Sequence, residues 1–226
     1  MRFEITTPTL ARLCSTPELR PRSKTAALQM LQSGPIIRKA GGFASLNIDK
    51  CRQIARLDGA MPATPQDLFD RLAALGITVT TRSHPPVFTA EDAGKLRGLV
   101  DGAQCKSLFL EDRKGGLWLA VVPGRRRLAL GPLARVLGAP RFSFGKPGVL
   151  YEALGVHSGS VTPFALINDP CQRVTVLLDR QMMAERRLNF HPLENTASTM
   201  IAPADLLVFI ADCGHHPRII DFDALA

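Results

Sequence analysis

The feature that most constrains this chain is a pair of apolar segments joined by a short polar turn. Residues 107–111 (SLFLE) and 117–122 (LWLAVV) flank the sequence DRKGG at 112–116. Two apolar runs of strand length around a glycine-containing turn are typical of a β-hairpin. The second run is apolar almost throughout, which indicates a strand that is covered on both faces. The sequence therefore predicts a hairpin enclosed within a layered sheet.

A second strong signal marks the start of a helix. Thr64 is followed by Pro65 and, three residues after Thr64, by Asp67, which matches a capped helix N-terminus. Gly76 is expected to end this helix. Its apolar stripe consists of Leu68, Leu72 and Leu75.

The rest of the chain mixes short helices and strands in no regular order. Further helices are predicted at 132–138 and 147–154, at the T-x-x-D signal of Thr89 to Asp92, and from Pro203 onward. Strands are predicted at 77–81, 163–168, 173–178, 187–190 and 218–222. This order favours a mixed α/β fold, with a mostly antiparallel central sheet and helices packed around it, over a doubly wound parallel sheet.

Length and composition limit the class of protein. With 226 residues, 46% of them hydrophobic and 21% charged, the chain suits one domain with a buried core and not a disordered protein. No apolar run approaches the roughly 20 residues of a membrane-spanning helix, so we expect a cytoplasmic protein without membrane contact. The five cysteines form no C-x-x-C pair, and we predict neither a metal nor a cofactor.

The charge is concentrated at the N-terminus. Residues 1–60 hold ten Lys and Arg against four Asp and Glu, and so carry +6 of the net charge of +8. They are rich in proline and show little periodic hydrophobicity, which predicts a basic, loosely structured extension before a domain over 61–226. Two interpretations remain open: the working protein starts near Met61, or the extension is an arm that contacts RNA or directs targeting.

The sequence does not indicate a protein nucleophile. There is no G-x-S-x-G motif, and Cys105 and Cys171, which could in principle pair with His191, are interpreted as small buried hydrophobic residues. The cluster Cys213-Gly214-His215-His216 lacks the spacing of a zinc site and is interpreted as a surface turn after the last helix.

Three other patterns are candidates for a binding site, each with a structural alternative. Lys106, at the entrance of an apolar strand, is either a snorkelling edge residue or a fixed cation for a phosphate or carbonyl. Residues 155–163 (GVHSGSVTP) form either an ordinary loop or a cradle of backbone amides for an oxyanion or phosphate. His191, at a strand end, is either a satisfied core histidine or a site residue.

A basic run could contact nucleic acid. Arg125, Arg126 and Arg127 form either a solvated turn or a contact with a phosphate backbone. Nearby, Phe142, Phe144 and Lys146 could add a stacking surface, although alternating phenylalanines more often mark the core face of a strand.

Taken together, three motifs resemble the YbaK family, which includes the editing domain of bacterial prolyl-tRNA synthetases and its freestanding relatives. They are K-S-L-F-L at 106–110, G-x-x-x-P at 159–163 followed by F-A-L-I-N-D, and F-H-P-L-x-N-T at 190–196. The chain resembles most closely the freestanding deacylases that remove alanine from proline tRNA. The resemblance implies a single YbaK-like domain over 61–226 that binds the aminoacyl end of a tRNA and hydrolyses its ester.

The resemblance also implies roles for individual residues. Lys106, Gly159 and His191 match the essential lysine, the loop glycine and the histidine of this subgroup. Ser107 departs from the asparagine often found after the lysine. The implied partner is aminoacylated tRNA, with transient contacts to prolyl-tRNA synthetase or an elongation factor. Substrate binding is implied for Ser107, Ser160, Val161, Thr162, Pro163, Asn195 and Thr196.

The leading hypothesis is therefore a trans-acting hydrolase of mischarged Ala-tRNA(Pro). An aminoacyl ester is already activated, so a positioned water and a cradle for the oxyanion suffice without a protein nucleophile. A tight pocket would admit alanine and exclude the larger proline. Two alternatives stay open: the same enzyme class acting on cysteine or serine, and a nucleic-acid-binding protein without catalysis.

Overall fold

The computed structural model describes residues 61–86 and 101–225. The predicted helix at Thr89 to Asp92 and the N-terminal extension lie outside these residues. No helix in the described part of the chain is long and apolar enough to cross a membrane. The α-helices are α1 (Pro65–Ala74), α2 (Leu130–Leu137), α3 (Pro147–Leu154), α4 (Arg180–Met183) and α5 (Pro203–Asp212). The strands are β1 (Thr80–Ser83), β2 (Ala103–Asp112), β3 (Leu117–Pro123), β4 (Phe142–Phe144), β5 (Val174–Asp179), β6 (Leu188–Phe190), β7 (Ala197–Ile201) and β8 (Arg218–Ile220).

Helix α1 begins as its sequence predicts. The Thr64 side chain accepts a hydrogen bond from the backbone N–H of Asp67, and the Asp67 carboxylate accepts one from the N–H of Thr64, which completes a capping box. Leu68 and Leu72 are fully buried on the core side of the helix. The chain leaves the helix through Gly76, which has a φ of +66°.

The described strands form one mixed sheet in the order β1-β7-β6-β2-β3-β5-β8, with β4 added to β2. The predicted hairpin is confirmed: β2 and β3 pair antiparallel, with Leu108 opposite Ala120. Strands β2–β6, β3–β5 and β5–β8 pair parallel, and the other pairs are antiparallel. The mixed α/β class predicted from the sequence is therefore confirmed, and a doubly wound parallel sheet is excluded.

The hairpin contributes to a core on each face of the sheet. On one face, Leu119 and Val121 pack in a large cluster with residues of α1, α3 and α5. On the other face, Ala120 and Val122 pack with Leu133 of α2 in a smaller cluster. Successive strand residues point to opposite faces, and both faces of β3 are covered, so the strand is apolar throughout.

The predicted strand at 163–168 is wrong: Pro163–Asn168 is a 3₁₀ helix. The side chain of Thr162 accepts a hydrogen bond from the N–H of Phe164, and Pro163 supplies a φ suited to a helix start. A short, fully apolar run does not distinguish a buried strand from a buried helical turn. Strand β7 was not predicted, because its sequence ASTMI mixes small and polar residues.

The interpretation of residues 213–216 as a surface turn is wrong for His215, which is only 3% exposed. Its Nε2 lies 3.3 Å from the carbonyl oxygen of Asp169 and 3.7 Å from the Asp169 carboxylate. Burial lowers the pKa of His215 from its ordinary value, and this effect outweighs the attraction of the Asp169 carboxylate.

Because His215 is buried, we expect acid to lower the free energy of unfolding. Because the pKa of His215 is lower in the folded state, the unfolded chain binds more protons than the folded chain once the pH falls below about 6.5. For a difference of one full proton, the free energy of unfolding then falls by about 1.4 kcal/mol per pH unit. We expect the free energy of unfolding to fall between pH 7.5 and 5.5, and to fall less steeply in His215→Gln. Urea unfolding across this range measures both slopes, and equal slopes would contradict the prediction.

Candidate functional site

The candidate site centres on an interruption in the sheet along one edge of β2. Strand β6 pairs with β2 at Ala103 and Gln104, and β4 pairs with it at 110–112. Strand β3 occupies the opposite edge of β2 over 105–111. Within residues 61–86 and 101–225, no strand pairs with the first edge between Gln104 and Leu110. We call this stretch the β2 gap.

The backbone of Ser107 faces the β2 gap. The carbonyl of Phe109 accepts a hydrogen bond from Gly145 N–H beside β4, and the N–H of Ala103 donates to Arg187 beside β6, so odd-numbered residues face this edge. Backbone groups of alternate strand residues point to the same edge, which directs the N–H and C=O of Ser107 into the gap. The Ser107 hydroxyl is buried on the core side with Val121. The substrate contact predicted for Ser107 is therefore possible only through its backbone.

The predicted cation Lys106 lies at the centre of the same stretch. It stands opposite Val122 and shares a face with Leu108, and it is half-buried. Burial lowers the pKa of Lys106, and the nearby positive charge of Arg127 lowers it further. A lysine that is partly desolvated and repelled by a second cation is suited to bind an anion, because an anion relieves both costs.

His191 follows β6, and its neutral imidazole has a defined tautomer. Its Nδ1 lies 2.9 Å from the carbonyl oxygen of Ala197, which only accepts hydrogen bonds, so Nδ1 carries the proton and Nε2 is the acceptor. Burial lowers the pKa of His191. The hydrogen bond to the Ala197 carbonyl raises it by less, and His84 lowers it further. Lys106 and His191 each lie two residues beyond the paired residues Gln104 and Asn189 of adjacent parallel strands.

A second histidine, His84, which was not predicted from the sequence, follows β1. Its Nδ1 donates to the carbonyl of Pro85 at 2.8 Å, and its Nε2 lies 2.9 Å from the Ser198 hydroxyl. Its ring lies 5.9 Å from that of His191. The backbone N–H of His84 also donates to the carbonyl of Thr196. His84 therefore contacts Thr196 and Ser198, the two neighbours of Ala197, whose carbonyl accepts from His191. The signal available in the sequence was a histidine three residues after the predicted strand at 77–81.

This cluster predicts how His84 affects His191. In His84→Gln, a neutral side chain replaces the group that disfavours protonation of His191, so we expect the pKa of His191 to rise toward its ordinary value. An NMR titration of the imidazole resonances measures this change. His216→Gln, beyond the end of α5, serves as the control and should leave the pKa of His191 unaltered. A pKa of His191 that stays constant or falls in His84→Gln would contradict this coupling.

The glycine loop reaches the segment after His191. Gly159 has a φ of +94°, a conformation that favours glycine, and it is exposed. A Cβ at Gly159 would lie 3.7 Å from Nδ2 of Asn195, so two of the predicted site residues are neighbours. Ser160 N–H donates to the carbonyl of His157 and closes the turn. In the same loop, Ser160, Thr162 and Pro163 are buried, and Val161 packs against the larger core.

The loop is tied to the strand that precedes His191. The rings of Phe164 and Phe190 meet edge to face at 5.9 Å, and Leu193 packs against the same core. Leu193 has a φ of +69° and donates its N–H to the carbonyl of His191, which turns the chain toward Asn195. The structure therefore joins the Gly159 loop, His191 and Asn195 through packed side chains.

The basic residues predicted to bind the tRNA backbone divide into two groups. Arg126 is a correction: its guanidinium pairs with Asp179 at 2.7 Å and with Asp223 at 2.7 Å, so it serves the fold. These carboxylates raise the pKa of Arg126. The side chains that remain exposed are those of Arg125, Arg127 and Lys146.

Two of the described cysteines do not resemble activated nucleophiles. Burial raises the pKa of Cys105 to about 12, and it raises that of Cys213 to about 12 as well. A thiol with such a pKa holds almost no thiolate near neutral pH. Among the described residues, no group of three His, Cys, Asp or Glu side chains is arranged to hold a metal ion.

One cavity of the described chain lies away from these residues. It encloses about 650 Å³ at the start of β2 and β6. Its lining mixes opposite charges, among them Asp101, Glu185, Arg186 and Arg187. None of the predicted site residues lines it.

Comparisons with known proteins agree with the motifs. The family model described as an aminoacyl-tRNA editing domain matches residues 84–209. The prolyl-tRNA synthetase associated domain-containing protein 1 of Danio rerio is 39% identical over 160 residues, which cover 70% of this chain and 87% of the relative. The prolyl-tRNA editing protein ProX of Acetoanaerobium sticklandii is 30% identical over 157 residues, which cover 69% of this chain and 96% of ProX.

A solved structure shares the fold. It is described as that of a candidate trans-editing enzyme for prolyl tRNA synthetase, and it matches 72% of this chain and 98% of its own with a TM-score of 0.56 and 22% identity. The family match at residues 84–209 covers more than half of the chain and includes β2, β4 and β6, which border the β2 gap. The chain belongs to the aminoacyl-tRNA editing domain family.

Proposed function

We propose that this protein is a trans-acting deacylase that hydrolyses mischarged Ala-tRNA(Pro). The observation that carries the proposal is the β2 gap. Within residues 61–86 and 101–225, no strand pairs with the edge of β2 at Ser107, and beside that edge lies Lys106, a half-buried lysine whose pKa is lowered. The chain's relatives include an editing protein and synthetase-associated proteins whose names refer to prolyl-tRNA, which supports proline tRNA as the substrate.

The proposed chemistry needs no attacking side chain. A water oxygen attacks the ester carbonyl carbon, the bond from that carbon to the ribose oxygen breaks, and the water proton ends on the ribose oxygen. The products are free alanine and a tRNA with its terminal hydroxyl restored. Because the aminoacyl ester is already activated, stabilising the developing oxyanion and orienting the water account for the acceleration.

Each site residue has a role in this proposal. Lys106 holds the 3′ end of the tRNA through a phosphate or the carbonyl. The backbone amides of Ser107 and Gly159 donate to the oxyanion, since those of Ser160 and Phe164 are bonded within the loop. The Nε2 of His191 accepts a hydrogen bond from the water, consistent with its neutral tautomer. Asn195 and Thr196 line the pocket beside Gly159.

Selectivity in this proposal is steric. Alanine is smaller than proline, and one or two methylene groups give only about 1 to 3 kcal/mol of attractive preference, so exclusion must supply the remainder. Val161 and Leu193 are half-buried and pack against the core at the two segments that meet near Gly159. We propose that they limit the volume available to the amino acid.

The test is a panel of aminoacylated proline tRNAs. Purified protein is incubated with tRNA(Pro) charged with alanine, cysteine, serine or proline, and loss of the ester is followed against buffer alone. We expect fast loss of alanine and survival of Pro-tRNA(Pro). Faster loss of cysteine or serine than of alanine would show that one of those amino acids, and not alanine, is the preferred substrate. If no ester is lost faster than in buffer, the enzyme proposal fails, and tRNA binding without turnover would favour a nucleic-acid-binding protein.

The same panel tests the domain boundary. We propose that residues 61–226 carry the activity, so a chain that begins at Met61 should retain the full rate. A large loss in this shortened chain would assign a role in tRNA binding to residues 1–60.

A further inference from the structure

Two exposed aromatic rings stack beside the glycine loop. Tyr151, the single tyrosine of the chain, lies on α3 and is 43% exposed. Its ring lies 4.9 Å from that of the exposed His157, with 20° between the ring planes. The stack fixes two side chains that would otherwise sample several rotamers, and both remain accessible to solvent. We call this pair the aromatic platform.

The segment that carries the aromatic platform begins and ends at elements that border the β2 gap. At one end, Gly145 N–H donates to the carbonyl of Phe109, next to β4. At the other end, Gly159 approaches Asn195, in the segment that follows β6. Residues 145–159 therefore connect the two walls of the gap. His157 also accepts the hydrogen bond that closes the turn at Ser160, which ties the platform to the glycine loop.

The charges around the platform suit a polyanion. The one carboxylate adjacent to Tyr151 in sequence, Glu152, pairs with Arg173 at 3.4 Å, and Arg173 also donates to the Glu152 carbonyl at 2.7 Å. Lys146, at the start of α3, is exposed. Aromatic rings are a usual means by which proteins hold unpaired nucleotides, since every base offers a flat face.

We propose that the aromatic platform stacks the unpaired nucleotides that precede the terminal adenosine of the acylated tRNA. This inference rests on the proposed function, because the ester is held in the β2 gap while the platform takes the nucleotides just outside it. Every tRNA ends in such an unpaired segment, and stacking on a preformed pair of rings costs little ordering. The platform thus acts in binding and not in the chemical step.

The test compares a full substrate with one that lacks these nucleotides. Alanyl-tRNA(Pro) and the alanyl ester of adenosine are hydrolysed by the wild type and by Tyr151→Ala, Tyr151→Phe and Val136→Ala. For Tyr151→Ala we expect KM for the tRNA to rise about tenfold, with kcat and the rate on the small ester unchanged. Tyr151→Phe keeps the flat face and should behave as wild type. Val136→Ala removes an exposed apolar side chain elsewhere, on α2, and should have no effect.

A binding arm separates this proposal from the proposed function. Fluorescence anisotropy compares uncharged tRNA(Pro) with the same tRNA trimmed of its unpaired 3′ nucleotides. Wild type should bind the intact tRNA at least about tenfold more tightly, and Tyr151→Ala should reduce that difference about tenfold, since the contact of Lys106 with the 3′ end remains. Equal affinities of the wild type for both tRNAs, or an equal loss on both substrates in Tyr151→Ala, would overturn the platform. A wild type that binds the intact end selectively but hydrolyses no ester would overturn the deacylase and leave the platform standing.

Discussion

Replacing Lys106 with alanine is expected to lower kcat/KM for Ala-tRNA(Pro) about 100-fold or more. The reason is that removal of one preorganised donor from an oxyanion or phosphate site costs about two to three orders of magnitude in rate. Lys106→Arg should recover little, because a planar guanidinium on a different stem misplaces the charge. Steady-state hydrolysis of charged tRNA measures the effect. Lys114→Ala, an exposed lysine in the turn of the same hairpin, is the matched control and should retain activity.

The stability of the Lys106 variant distinguishes a site residue from a structural one. Burial and the charge of Arg127 both disfavour the protonated lysine, so its removal should leave the free energy of unfolding unchanged or raise it. If Lys106 instead stabilised the fold, its removal would lower the free energy of unfolding. Urea unfolding of Lys106→Met, which preserves the apolar stem, measures this. A variant with normal stability and normal activity would contradict the assignment of Lys106 to the site.

Replacing Phe164 with alanine is expected to cost about 3 to 5 kcal/mol of the free energy of unfolding. Phe164 is fully buried, and its ring meets Phe190 at 5.9 Å and Phe209 at 5.5 Å. It therefore joins the 3₁₀ helix after the glycine loop to the strand before His191 and to α5. Such a loss is a large part of the roughly 5 to 15 kcal/mol that stabilises a typical domain.

A matched control for this prediction is Phe144→Ala. Phe144 is 65% exposed, so its removal should change the free energy of unfolding by less than about 0.5 kcal/mol. Urea unfolding at pH 7.5 compares the two variants. If Phe164→Ala does not fold, Phe164→Leu should fold with a smaller loss. A Phe164→Ala protein as stable as Phe144→Ala would contradict the role of this ring in connecting the loop to the sheet.

Local sequence signals succeeded where the physical cause is local. The capping box of α1 and the β2–β3 hairpin depend on contacts between residues near in sequence, and both are present. Helix α3 matches the prediction at 147–154, because Pro147 starts it and Gly155 ends it with a φ of +65°. The strand predicted at 163–168 was wrong, because an apolar segment of six residues is equally suited to a buried strand and to a buried 3₁₀ helix.

The candidate site was partly predictable. Lys106, Gly159 and His191 were identified from motifs, whereas His84 was missed because its partners Thr196 and Ser198 are more than 100 residues away in the chain. Ser107 was assigned to substrate binding, but the direction of its backbone toward the gap follows only from the pairing of β2 with its neighbours. A serine at this position therefore keeps its backbone donor directed toward the gap, whatever its side chain contacts.

By itself, the sequence determined the helix caps, the hairpin, the mixed α/β class and the residues that carry the family motifs, because side-chain size, periodicity and capping chemistry act over a few residues. Only the tertiary structure decided that β6 and β4, which come from separate parts of the chain, pair with the same edge of β2, and that no strand of residues 61–86 or 101–225 pairs with that edge between them. That opening depends on the register of long-range hydrogen bonds, and no local pattern encodes where two distant strands stop. The β2 gap, with Lys106 and Ser107 along it, is therefore a property of the fold.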